Sequence, residues 1–245
     1  MQPLTRLGIP KLWGEDPEAV WRFARRFVPQ ITLLLAPAAG YGAERVPVAG
    51  GAVIGANHFS GIDHPLIASF CPRPVYYLAK AELLEIPVLG EVVQWLGTFP
   101  VRRGEGDRDA LRRARALVRD GNLVGVHLEG TRQRFGHPGP VHTGGLMIAM
   151  QERVPVVPCG LDTFRWSPTN RRLCAVVWGK PIDLSELPRN RTGYAKAAEI
   201  VRAEMVCLWR QAAEAAAAGL PPELPDGTKR HGPFTVSGRD GSRPI

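Results

Sequence analysis

The chain reads as an α/β domain with a largely parallel sheet flanked by helices, preceded by an N-terminal amphipathic helical segment. Two observations carry this reading. Between about Val46 and Ala218, short apolar runs alternate with helical ones, the pattern of strand–helix–strand units. Ahead of them, Val20, Phe23, Ala24, Phe27, Val28 and Ile31 recur at helical spacing while Arg22, Arg25 and Arg26 fall elsewhere. The sequence therefore divides into an amphipathic segment (1–41), an α/β domain (42–218) and a tail rich in Pro, Gly and charge (219–245). Such a tail buries little apolar surface and is expected to be extended or disordered.

Each element has its own signal. The first helix starts in EDPEAVWRFARRFV, where Asp16 is placed to cap and Pro17 takes the first helical position. Pro29 is expected to kink or end it, and Pro37 to end the apolar stretch that follows. The strand-like runs are GAVIGAN, PVYYLAK, GTFPV, NLVGVHLEG, VPVVPCGL and LCAVVWGKPI. Helical segments fall between them: HPLIASF, IPVLGEVVQWLG, DRDALRRARALVRDG, TGGLMIAMQER and the long RTGYAKAAEIVRAEMVCLWRQAAEAAAA. Parallel sheets of this kind place chemistry in the loops at the carboxyl ends of strands.

Composition narrows the partners. The formal net charge is +8 and nearly all basic residues are arginine, whose guanidinium fork suits phosphate and carboxylate. Nucleic acid, an anionic membrane surface and a small phosphorylated substrate are the candidates. Four cysteines, Cys71, Cys159, Cys174 and Cys207, are widely spaced without a C-x-x-C pair, which argues against a thiolate zinc site and fits a reducing compartment. The first residues hold no apolar core of signal-peptide length. The longest apolar run, ITLLLAPAA, falls far short of the roughly 20 residues of a membrane-spanning helix.

Three strand ends carry chemistry. In IGANHFSGIDHP, His58 follows a strand and Asp63 opens a helix, so the turn can fold the carboxylate onto one imidazole nitrogen. His58 is then a base with a fixed tautomer, or else Asp63 merely caps the helix. A metal site of His58, Asp63 and His64, joined by His127 and Glu129, is the competing reading. Ser60 lacks the G-x-S-x-G elbow of a nucleophile, and Cys159 reads as a small core residue. In GTFPVRRGEG a strand delivers Arg103, whose guanidinium can fork a phosphate. Arg108, Arg112, Arg113, Arg115 and Arg119, on the helix after it, read as a solvated face or a contact for anionic headgroups. In NLVGVHLEGTRQ a strand delivers Glu129, Gly130, Thr131 and Arg132, where backbone N–H groups, a hydroxyl and a guanidinium can meet an anion. A base beside a phosphate clamp implies a phosphorylated acceptor whose hydroxyl is activated.

These blocks resemble the glycerolipid acyltransferases typified by 1-acylglycerol-3-phosphate (lysophosphatidic acid) acyltransferase. The family's N-H-x-S-x-x-D is similar to Asn57–Asp63; its Lys, helix and strand ending in Arg-Gly to Lys80 and Arg103-Gly104; its F-P-E-G-T-R-S to HLEGTRQ; its V-P-x-x-P strand to VPVVPCGL. All four fall in the family's order between about Ala52 and Leu161. The resemblance implies that His58 is the catalytic base, oriented by Asp63, and that the acceptor hydroxyl attacks an acyl thioester directly, without an acyl-enzyme. It implies that Arg103, Glu129, Gly130, Thr131 and Arg132, with Lys80, bind the glycerol phosphate, and that VPVVPCGL helps shape the acyl pocket. It implies no cofactor and no metal, an acyl-CoA or acyl-carrier-protein thioester as co-substrate, and no nucleic-acid partner. A lysophospholipid acceptor lives in a bilayer, so the enzyme is expected on the cytoplasmic face, with Trp21, Phe23, Phe27 and ITLLL entering the headgroup boundary. The departures are His127-Leu128 for Phe-Pro and Gln133 for Ser. The alternatives are a metal-dependent hydrolase, an acyltransferase with another acceptor and a non-enzymatic lipid-binding module.

Overall fold

The computed structural model describes residues 17–80, 85, 90, 98–101 and 108–234, without the side chains of 17–23, 79, 80 and 100. Eight strands form one sheet: β1 (Ala38–Tyr41), β2 (Ala52–Ala56), β3 (Val75–Lys80), β4 (Thr98–Val101), β5 (Leu123–His127), β6 (Val156–Asp162), β7 (Cys174–Trp178) and β8 (Arg230–His231). Their order is β4-β3-β5-β2-β6-β7-β1-β8. Pairings from β4 through to β6 are parallel, as is β1 with β7; β7 runs antiparallel to β6, and β8 to β1. Five helices are described: α1 (Pro17–Leu35), α2 (Asp63–Phe70), α3 (Arg108–Arg119), α4 (Gly144–Glu152) and α5 (Arg191–Ala217). The expected helix over IPVLGEVVQWLG lies largely outside the described residues.

Both faces of the sheet are covered, which a parallel sheet requires because its strands are apolar on both sides. Along β2, Ile54 packs in one core with Leu66, Ile67 and Phe70 of α2, and Val53 packs in a second with Leu117, Leu146 and Met205 of α3, α4 and α5. The fully buried β2, β6 and β7 are therefore continuous apolar runs rather than alternating ones. Asn190 caps α5 by accepting the Gly193 N–H at 3.0 Å. Gly160 lets α5 lie directly on β6, since a Cβ there would stand 2.3 Å from the backbone of Leu208 and Trp209.

Three expectations need correction. First, α1 runs through Pro29, because burial of Ala24, Pro29, Thr32 and Ala36 against the domain, where α1 packs on α2, outweighs one missing N–H bond. Second, residues 38–41 belong to the sheet as β1, so the amphipathic segment ends before the boundary drawn at residue 41. Third, the tail up to residue 234 is extended but docked. Its β8 covers the edge of β1, Leu220 and Leu224 are buried, Tyr41 donates to the Pro221 carbonyl at 2.9 Å, and the Phe234 N–H reaches Ser69. Covering β1 satisfies backbone groups that an open edge would leave unpaired. Residues 235–245 lie outside the described part.

The arginines of α3 divide as well. Arg115 and Arg119 pair with Glu152 of α4 at 2.5 and 3.0 Å, tying two helices together, while Arg112 pairs with Asp109 of its own helix. No helix among the described residues is long and apolar enough to cross a membrane.

Candidate active site

The parallel strands β5, β2 and β6 lie side by side, so their carboxyl ends converge on one edge of the sheet. In this register Ala56 stands opposite His127 on one side and Cys159 on the other. The three loops leaving these strands therefore meet, and each supplies part of the site.

His58 leaves β2 and its Nδ1 lies 2.7 Å from Asp63 Oδ2. Asp63, fully buried at the start of α2, also accepts the N–H groups of Phe59 (2.7 Å) and Ser60 (3.0 Å), the Ser60 hydroxyl (2.9 Å) and the hydroxyl of Thr163 from the β6 loop. Burial alone would raise the Asp63 carboxyl. The hydrogen bond from His58, the nearby His127 and His58 rings and the Thr163 hydroxyl outweigh it, holding the acid well below the usual carboxylate range. An ionised Asp63 accepts and does not donate, so Nδ1 of His58 carries the proton and Nε2 is left with its lone pair. Ser60 is committed to the turn by its bond to Asp63, as its place in the sequence suggested.

Asn57 stitches this loop to β6, its side chain donating to the Leu161 carbonyl at 2.9 Å and accepting the Leu161 N–H at 2.8 Å. From the β5 side, the Gln133 N–H donates to the His58 carbonyl at 2.8 Å.

Glu129 is not placed as part of a phosphate clamp. Its carboxylate is buried and accepts the N–H of His58 at 2.6 Å and that of Gly139 at 2.5 Å. It thus holds the backbone of His58. Burial pushes its carboxyl up to about 7, against the two N–H bonds that favour the ion. The sign of the pH effect follows: stabilisation from a raised pKa is present below the ordinary value of 4.5 and lost as pH rises through about 7. Urea unfolding across that interval should show wild type losing stability with rising pH relative to Glu129→Gln. Parallel pH–stability curves for the two proteins would rule this out.

Gly130 has φ +68°, and a Cβ there would meet the His142 ring at 3.0 Å, so the turn after Glu129 requires glycine. Thr131 and Arg132 are exposed, with the Arg132 guanidinium 4.0 Å from where a Cβ on Gly61 would stand. Lys80 ends β3, and its side chain is outside the described part. Arg103 lies outside the described residues; β4, which precedes it, is three strand positions from β2, about 14 Å at the usual strand spacing.

His127, at the end of β5, stacks face to face on His58 with ring centroids 3.9 Å apart and planes 11° apart. Its Nδ1 lies 2.7 Å from the Asn57 carbonyl, which can only accept, so Nδ1 bears the proton. Burial, with the neighbouring His64 and His58, pushes His127 well below the usual histidine range and keeps it neutral. His64, grouped with the metal reading in the sequence, packs instead against Tyr77 and His127 with centroids 4.5 Å from each. The trio whose ligand atoms lie within 4.8 Å of one another is His58, Asp63 and His127. Asp63 already accepts five hydrogen bonds, more than a carboxylate's roughly four lone-pair sites, so none is left over. An ion there would have to displace them, so the chemistry of the donor set favours an oriented base over a metal ligand. Thr163, His127 as a stacking partner and the stitch by Asn57 are contributions that the sequence reading did not assign.

A model of the family described as Acyltransferase matches residues 39–162, just over half of the chain and the span that contains β1 to β6. The chain belongs to the acyltransferase family. Among curated acyltransferases, it is 29% identical over 119 residues to the 1-acyl-sn-glycerol-3-phosphate acyltransferase of Bacillus subtilis, covering 48% of this chain and 59% of that protein. It is 32% identical over 109 residues to the lyso-ornithine lipid O-acyltransferase of Pseudomonas aeruginosa, covering 44% and 41%. The matched stretch thus spans less than two thirds of either relative's length. The acyltransferase shares its fold with the crystal structure of the 1-acyl-sn-glycerophosphate acyltransferase PlsC from Thermotoga maritima, at a TM-score of 0.66 and 24% identity, covering 84% of this chain and 86% of that one.

Proposed function

We propose that this acyltransferase moves a fatty acyl group from an acyl-CoA or acyl-carrier-protein thioester to the free hydroxyl of a lysophospholipid, with 1-acylglycerol-3-phosphate the first-choice acceptor and phosphatidic acid the product. The observation that carries the reading is the buried His58–Asp63 pair at the convergent strand ends, with Ser60 consumed by the turn and no nucleophile needed. Nε2 of His58 takes the proton of the acceptor hydroxyl, the oxygen attacks the thioester carbonyl, the C–O bond forms and the C–S bond breaks. The imidazolium that forms faces the ionised Asp63 on its edge and the neutral His127 on its face, and returns the proton to the thiolate leaving group. No acyl-enzyme and no metal take part.

Arg132 at the mouth receives the acceptor phosphate, with Gly130 and Thr131 shaping the turn and with Arg103 and Lys80 as further cationic contacts. Strand β6 contributes to the wall of the acyl site. The enzyme works from the cytoplasmic face of the membrane. Support for surface attachment comes from α1, which presents Phe27, Ile31, Leu34 and Leu35 outward at helical spacing rather than into the core, with Leu34 67% exposed.

Purified protein with labelled acyl-CoA or acyl-carrier-protein thioester should acylate lysophosphatidic acid and retain activity under chelation. Arg132→Ala should raise the KM for the acceptor about 10- to 100-fold, the range of a charge-assisted hydrogen bond. Equal rates on lyso-ornithine lipid, which lacks phosphate, would overturn the assigned acceptor. Activity abolished by chelator and restored by one ion would favour the hydrolase.

A further inference from the structure

We infer that loop 131–139, with Phe135 at its tip, is a second membrane contact that seats the mouth of the site on anionic lipid headgroups. This rests on the membrane-surface reading above but concerns different residues. Phe135 is 82% exposed, and Arg132 and Arg134 beside it are exposed as well. Residues 130–143 contain no acidic side chain, so the positive field of the loop is not neutralised within it. An exposed aromatic ring that follows two exposed arginines matches the headgroup boundary, where the ring meets the acyl edge and the guanidinium groups meet phosphate.

The loop is held at its base, so the tip is presented rather than trailing. The Gln133 N–H reaches the His58 carbonyl, Gly139 donates to Glu129, and Arg202 of α5 donates to the Gly139 carbonyl at 3.0 Å. Gly136 lies against Phe164, where an added Cβ would meet the ring at 2.8 Å. Phe164 lies in the loop after β6, in which Trp166 donates to the Leu35 carbonyl at the end of α1 at 3.1 Å. Loop 131–139 and the outward stripe of α1 are thus joined through one intervening loop. That continuity, with an apolar tip, favours a bilayer over an acidic carrier protein as the occupant.

Vesicle sedimentation with phosphatidylcholine alone, and with added phosphatidylglycerol, tests this. Phe135→Ala should weaken binding about 10-fold on the mixed vesicles, and Arg134→Glu about 30-fold on those vesicles, with a far smaller effect on phosphatidylcholine alone. Turnover on a short-chain, water-soluble lysophosphatidic acid should stay at the wild-type rate in both variants. Unchanged vesicle binding in both would overturn the inference, as would an equal loss of turnover on the soluble acceptor. A loss confined to carrier-protein thioester would overturn it in favour of a protein contact. If wild type acylates no acceptor, the proposed function fails while the vesicle result still decides this contact.

Discussion

His58→Ala is expected to lower kcat by about 10²- to 10⁴-fold, the usual contribution of a positioned general base. The geometry makes this a clean test. The His58 side chain is 8% exposed and its Nδ1 bonds Asp63, which keeps its bonds from Phe59, Ser60 and Thr163 when the ring is removed. The backbone N–H of residue 58 still reaches Glu129, so the loop retains its anchor. Folding stability should fall by about 1.5–3 kcal/mol for one lost hydrogen bond to a charged group, plus a smaller packing loss against His127. Steady-state assays with labelled acyl thioester alongside urea unfolding separate the two. Wild-type turnover in this variant would remove His58 from catalysis.

Asp63→Asn should be the more damaging change, because it strikes fold and chemistry together. One oxygen of Asp63 accepts three donors and the other accepts two. An amide offers a single oxygen; where that oxygen keeps the three N–H donors, its NH₂ faces the Ser60 and Thr163 hydroxyls, which must turn from donating to accepting. Every bond to the former carboxylate then loses its charge assistance, and the expected cost is about 3 kcal/mol. Turnover should fall alongside, since the imidazolium of His58 loses the anion that stabilises it. The pH dependence carries a separate signature. A carboxyl held below its unfolded value stabilises the fold above that value, and the contribution is lost as pH falls. Wild type should therefore lose part of its stability in acid that Asp63→Asn does not have to lose. Unfolding free energies that are equal for the two proteins at neutral pH would contradict the network described.

The contrast between Asp63 and Glu129 shows how far residue types alone could be read. Both are acids in recognisable blocks, and spacing was enough to pair Asp63 with His58 because the two sit five residues apart in one turn. Glu129 was read as part of an anion clamp beside Arg132. The structure turns it inward onto the N–H groups of His58 and Gly139, which come from segments 71 and 10 residues away. A side chain's direction after a strand depends on which loops crowd it, and that is not local information. The same holds for His127, whose ring stacks on His58 and whose Nδ1 bonds the Asn57 carbonyl, a residue 70 positions away.

The sequence by itself determined the alternation of strands and helices, the parallel sheet, the position of the chemistry at strand carboxyl ends and the His58–Asp63 pair. Each of these depends on periodicity or on contacts within a few residues. Tertiary structure alone decided that α1 passes through Pro29 with Phe27 and Ile31 outward, that the tail closes the edge at β1, and that Thr163, Glu129 and Asn57 brace the His58–Asp63 loop. Those outcomes depend on packing and on hydrogen-bond partners up to 180 residues apart in sequence, which no local pattern encodes.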